Sequence, residues 1–204
     1  MGRSADALNV SRETFERLEC FVALLEKWTP RINLISKSTI PQIWTRHIQD
    51  SLQVYRMGPE RFDHWVDLGS GGGFPGLVIA ILAAENQDQK RVSLVESDAR
   101  KSAFLRTVLR ETGVSAHVFC ERIEVLAPQK ADVLSARALA DLGTLLGFAE
   151  RHLLPDGIAL FSKGASWKKE LSDAQTEWSF RYEVLNSETE NGSVVLKIGD
   201  ITSV

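Results

Sequence analysis

VDLGSGGGFPG, residues 66–76, sits between a β-prone run that begins at His64 and an apolar helical run, PGLVIAILAAEN, that begins at Pro75. Its glycines, Gly69, Gly71, Gly72, Gly73 and Gly76, permit positive φ and let backbone come against a ligand where a Cβ would collide. RVSLVES (91–97) follows as a second β-prone run, which completes a strand–helix–parallel strand unit. In an open parallel sheet ligands bind beyond the carboxyl ends of the strands, and this turn occupies that edge.

The alternation continues downstream. RKSAFLRTVLRET (100–112) reads as a helix, SAHVFCER (115–122) and ADVLSARA (131–138) as strands, and LADLGTLLGFAERHLL (139–154) as a helix stopped by Pro155 and Gly157. GIALFSK (157–163) reads as a strand and residues 167–177 as a last helix. FRYEVLNSE and SVVLKIG form a hairpin around Asn191-Gly192. Upstream, Phe15, Leu18, Val22 and Leu25 recur at helical spacing behind Ser11 as N-cap. A second helix is expected behind Thr39, with Pro41 in its first turn and Ile40, Trp44, Ile48 and Leu52 on one face. The expected fold is therefore α/β: a doubly wound, mostly parallel Rossmann-like sheet of six or seven strands, in a domain over 61–204 preceded by an N-terminal helical extension over 1–60.

Composition narrows the function classes. The 204 residues are 44% hydrophobic and 25% charged, ordinary for a globular chain, and no stretch has the length and apolarity of a membrane span. The first residues lack the apolar run of a secretory signal, so a cytoplasmic location is expected. Cys20 and Cys120 lie 100 positions apart, which excludes paired-cysteine zinc sites; both are expected to be buried thiols, and His64, His117 and His152 have no metal-ligand spacing. Net charge is −3, with excess acid in residues 131–204 (eleven Asp/Glu against seven Lys/Arg), so a basic surface has room only nearer the front.

The glycine turn leaves the ligand open. Gly71-x-Gly73-x-x-Gly76 with Glu96 twenty residues on satisfies the dinucleotide fingerprint, which keeps an NAD-dependent oxidoreductase as an alternative. Asp67 favours S-adenosyl-L-methionine, because a carboxylate at the strand end can serve an amino-acid ammonium through solvent or backbone groups. Glu96 can hold two ribose hydroxyls of either cofactor.

The chain resembles the RsmG (GidB) family of 16S rRNA guanine-N7 methyltransferases, whose members have the class I S-adenosyl-L-methionine-dependent methyltransferase fold. The likeness rests on RINLIS (31–36), RHIQDSL (46–52), the glycine turn, LVESDARKSAFLR (94–106), ERIE (121–124), VLSARALA (133–140) and SKG (162–164). It implies methylation of a guanine N7 in the 530 loop of 16S rRNA, and the sequence leaves free RNA or a small-subunit particle open as substrate, with a monomer as the default expectation. It also implies that Gly69 and Phe74 contact the methyl donor, that Ile123 and Glu124 border its adenine, and that Arg137 sits at its methionine end beside the target base. Guanine N7 carries a lone pair and no proton, so the reaction needs positioning rather than a general base, and Ser135 and Arg137 are candidates for that task. Arg137 is assigned to binding the donor's carboxylate or an RNA phosphate. Arg31, Arg46, Arg100, Lys101 and Lys163 are candidate RNA contacts, with Arg56 and Arg106 beside them; His47 and Asp50 are read as structural. A non-catalytic nucleotide-sensing module is the third alternative.

Overall fold

The computed structural model describes residues 4–85 and 90–204. Among the described residues seven strands form one sheet: β1 His64–Leu68, β2 Arg91–Val95, β3 His117–Phe119, β4 Ala131–Arg137, β5 Leu153–Lys163, β6 Trp178–Asn186 and β7 Val194–Ser203, in the order β3-β2-β1-β4-β5-β7-β6. The first five are parallel, and β7 runs antiparallel between β5 and β6. The chain leaves β1 for β2 and β3, then returns to lay β4 against β1. That reversal opens a crevice beyond the strand ends, directly over the glycine turn.

Period-two alternation in β1 sends Trp65 and Asp67 to one face and Val66 and Leu68 to the other. After the short α1 (Ala5–Leu8), α2 (Arg12–Ile32), α4 (Gly76–Ala83) and α5 (Ala99–Thr112) lie on the first face; on the second lie α6 (Leu142–His152) and α7 (Trp167–Ala174). The expected apolar run after the glycine turn is helical through Ala83, and its last residue, Asn86, lies outside the described residues. Ser11 caps α2 by accepting the Thr14 N–H at 3.1 Å, as its position predicts. Leu18, Phe21, Val22 and Leu25 are buried along that helix, while Phe15 is half-buried and stacks on Trp44. Phe21 reaches the glycine turn itself, with its ring 5.0 Å from that of Phe74 and 6.3 Å from that of Phe104.

Four expectations need correction. The second front helix is not one α-helix: Lys37–Gln42 is 3₁₀, Trp44–Gln49 is a π-helical turn, and α3 (Asp50–Met57) follows. Apolar residues spaced by four drift around a 3.6-residue helix, and the wider π-turn absorbs that drift. Thr39 lies inside the 3₁₀ segment and donates its hydroxyl to Ser36 O, so it does not cap. The β6–β7 hairpin exists around Asn191-Gly192, but its strands stop short of the expected ends, so seven residues, 187–193, connect them where the expected strands leave only 189–192. Cys20 is only half-buried and Cys120 is exposed.

Phe21→Ala is expected to lower unfolding free energy by about 3–5 kcal/mol, since it removes a fully buried ring shared by the extension and the sheet. Urea titration should still show a single transition. Separate transitions by tryptophan fluorescence and circular dichroism would mean that the helical front unfolds independently.

Candidate active site

Asp67, near the end of β1, is fully buried, and both carboxylate oxygens are engaged. Oδ1 accepts the Ser135 hydroxyl at 2.7 Å from its register neighbour on β4, and Oδ2 accepts the Gly76 N–H at 3.2 Å. Ser135 Oγ in turn accepts Trp65 Nε1–H at 3.0 Å. A Cβ at Gly76 would lie 2.5 Å from Asp67 Oδ2, so only glycine lets the start of α4 come this close. Burial raises the Asp67 carboxyl to about 6, against the hydrogen bonds from Ser135, Ser70 and Gly76 that favour its charged form.

The turn so anchored borders a cavity of about 520 Å³, within the roughly 300–1,000 Å³ of small-molecule sites. Gly69, Gly71 and Phe74 lie on its wall with Glu96, Ile123, Glu124, Arg137 and Lys101, so sequence positions far apart converge as expected. Gly69 has φ +65°, and a Cβ there would stand 2.6 Å from Leu139 Cδ1. Glu96 is buried just beyond β2; Oε2 accepts the Gly71 N–H at 2.9 Å and Oε1 the Asp98 N–H at 2.8 Å. Each oxygen retains acceptor capacity toward the cavity. The wall at Ile123 is held from behind by His152, whose Nε2 lies 3.3 Å from the Ile123 carbonyl oxygen.

Three expected site residues do not face this cavity. Asp67 and Ser135 are completely buried beneath the turn and position it from below, and Gly73 is turned away, donating its N–H to Ser70 O at 2.7 Å. Leu34, Leu139 and Phe148 line the cavity without having been singled out. In sequence they are indistinguishable from residues of turns and apolar helix stripes.

Arg137 joins this cavity to the helical front. Its Nη1 donates to the Arg46 carbonyl and to Asp50 Oδ2, both at 3.3 Å, and its Nη2 donates to His47 Nδ1 at 2.9 Å. Because a guanidinium can only donate, His47 Nδ1 is the acceptor, and its Nε2–H points to Thr39 Oγ1 at 3.0 Å. Burial first, then the charges of Arg137 and Arg46, lower His47 to about 4. Its neutral ring stacks on Phe74, over which the guanidinium carbon of Arg137 also sits at 5.2 Å. His47 and Asp50 are thus structural partners of a site residue, which spacing alone suggested only in part.

The basic residues divide. Lys163 is a correction: only 8% exposed, its ammonium donates to Ala140 O and Glu170 Oε2, both at 2.7 Å, and braces the β4–α6 connection against α7 instead of reaching outward. Arg106 donates to Val118 O and Arg56 to Leu8 O, so both serve the fold. Arg31 and Arg100 are exposed, and Arg46 pairs with Glu190 at 2.7 Å. No group of His, Cys, Asp and Glu able to hold a metal occurs among the described residues.

Residues 14–194 match the family model for GidB, rRNA small subunit methyltransferase G. The chain belongs to the GidB family. GidB relatives include the ribosomal RNA small subunit methyltransferase G of Ruegeria pomeroyi, 60% identical over 200 residues and 98% of each chain. That of Paracoccus denitrificans is 48% identical over 192 residues, covering 94% of this chain and 97% of its own. Among solved structures, a methyltransferase from Geobacter sulfurreducens superposes with TM-score 0.61 at 15% identity over 88% of this chain and 87% of its own. The ribosomal protein L11 methylase of Lactobacillus delbrueckii subsp. bulgaricus gives 0.59 at 15% over 74% and 76%. These likenesses show the GidB chain to have the methyltransferase form of the doubly wound fold, with its antiparallel seventh strand, and the dinucleotide alternative is set aside.

Asp67 makes this site pH-sensitive in stability. Between the unfolded value near 3.8 and the folded value near 6 the native state binds more protons, so stability falls as pH rises. Relative to Asp67→Asn, the wild type should lose about 3 kcal/mol between pH 3 and pH 7, measured by urea unfolding. A difference that stays flat or rises would show that the carboxyl titrates normally.

Proposed function

We propose that this protein transfers the methyl group of S-adenosyl-L-methionine to N7 of one guanine in the 530 loop of 16S rRNA. Family membership over nearly the whole chain carries this reading, and the geometry supports it. The donor fits the cavity at the glycine turn: the Gly69–Gly72 backbone forms a cradle that a Cβ at Gly69 would fill, and the buried Glu96 presents two oxygens suited to ribose hydroxyls. Ile123 and Glu124 border the adenine, and Arg137 binds at the methionine end. When bound, the donor supplies an electrophilic sulfonium methyl group.

The guanine N7 lone pair forms the new C–N bond as the S–CH₃ bond breaks, and the sulfur keeps that electron pair. No proton moves, so the protein need only align nucleophile and methyl group, which is worth on the order of 7–11 kcal/mol. That economy accords with His47 beside Arg137 being held neutral, with both ring nitrogens hydrogen-bonded.

RNA phosphates would be met by Arg31, Arg100 and Lys101, with Arg46 at the inner edge. The two-part organisation, 1–60 and 61–204, belongs to the same proposal, since the front segment supplies the residues that hold Arg137. A folded small-subunit particle as substrate, a monomeric enzyme and a cytoplasmic location complete it. Among the described residues no helix is long and apolar enough to cross a membrane.

Incubation with labelled donor and small-subunit particles from cells lacking the modification should give labelled 7-methylguanosine on nucleoside analysis. Gly69→Asp places its side chain against Leu139 at positive φ and should weaken donor binding by about 100-fold in calorimetry, with transfer lost. Folded wild-type protein that takes up no S-adenosylmethionine would overturn the proposal.

A further inference from the structure

Beyond Arg137 lies a second cavity of about 350 Å³, which shares Arg137 and Ala138 with the donor cavity. Its walls come from the 3₁₀ and π segments, the ends of β4 and β5, and the 187–193 connection of the hairpin. Val194 and Val195 give it an apolar floor. At its side is the Ser162 hydroxyl, one of the few buried polar atoms among the described residues with no hydrogen-bond partner; Ser162 pairs in register with both Arg137 and Val195. The Arg46–Glu190 ion pair ties front segment to hairpin at this cavity, both side chains remaining partly exposed (35% and 46%). The hairpin connection is pinned separately, by Thr189 on Asp50 and by Glu188 N–H on Gln53, so it does not depend on that ion pair.

Arg137 has five N–H groups, of which three are engaged by Arg46 O, Asp50 and His47. Two donors remain at the junction of the cavities. A guanine that presents N7 to the donor cavity carries O6, an acceptor, beside it, and its far edge carries the N1–H and 2-amino donors. Donor beside acceptor on one side and carboxylate before two N–H groups on the other suit guanine. Adenine would place an amino group against Arg137 and an unprotonated N1 against Glu190.

We infer that this second cavity seats the target guanine, with a remaining N–H of Arg137 on O6 and, once the Arg46–Glu190 pair opens, the Glu190 carboxylate on N1–H and the 2-amino group. The inference rests on the methyltransferase reading and adds to it the base seat and its selectivity. Ser162 gains a partner when the base is in place, and Arg46 is released toward phosphate.

Gly164 lines this cavity and not the other, and a Cβ there meets nothing within 4 Å, so bulk can be added without strain in the fold. In the series Gly164→Ala, Gly164→Leu and Gly164→Phe, kcat/KM for small-subunit particles should fall with side-chain volume, by about 100-fold at Phe. Calorimetric affinity for S-adenosylmethionine should stay within about twofold of wild type. Undiminished transfer by Gly164→Phe, or donor affinity lost in parallel, would overturn the seat while leaving the wild-type activity as it stands. A wild-type protein inactive on the same particles would overturn the methyltransferase reading and the seat together. Glu190→Gln tests the far edge: on reconstituted particles with inosine at the target, which lacks the 2-amino group, it should cost less than on guanine. Equal costs would remove Glu190 from recognition.

Discussion

Ionising a carboxylate where water cannot reach it is unfavourable, and this fold places one, Asp67, where its three defining elements meet. Asp67 belongs to β1, Ser135 to the neighbouring β4, and the Gly76 N–H to the first turn of α4. The carboxylate therefore sets the distance between the sheet's switch point and the helix that follows the glycine turn. The backbone from Gly69 to Gly72 has its place because both ends of the loop are fixed. The raised affinity of Asp67 for protons measures what that costs, and the hydrogen bonds from Ser135, Ser70 and Gly76 keep the cost bounded.

A second constraint stands on the other side of the turn. Arg137 is a largely buried cation whose partners come from positions 46–50, while Asp50 is itself held by Thr189 of the hairpin. A charged imidazole at position 47 would repel the guanidinium, and burial keeps that ring neutral. The helical front, the parallel sheet and the antiparallel hairpin thus meet at one side chain. The front segment also shares its apolar core with α4 and α5.

What was legible in the sequence was local. The glycine turn, the alternation of strands and helices, and Glu96 at the end of the second strand depend on residues close together in the chain, and all appear where expected. The antiparallel hairpin was readable from its strands, but its seven-residue connection was not, because that loop is fixed by Asp50 and Gln53, more than 130 positions away. Lys163 was misread for a related reason. A lysine at a strand end normally reaches for water, and only the fold brings Glu170 and the Ala140 carbonyl around it. The inward direction of Asp67 was hidden likewise: alternation fixes its face, but spacing does not say that Ser135 and Gly76 will occupy its oxygens.

A bare guanidinium beside a purine that becomes cationic would oppose the reaction, and the arrangement around Arg137 answers that objection. Asp50 lies 3.3 Å from Nη1, so the pair presents N–H donors while carrying little net charge. The neutral His47 adds no positive charge, and the faces of Phe74 and His47 offer electron-rich surface near the guanidinium. What Arg137 contributes is then direction more than charge. On the seating inferred above, its N–H groups would tell an acceptor from a donor beside N7, and the side chain borders both cavities. A lysine at this position would keep the charge but lose the fixed fork by which Arg46 O, Asp50 and His47 hold the side chain from the front segment.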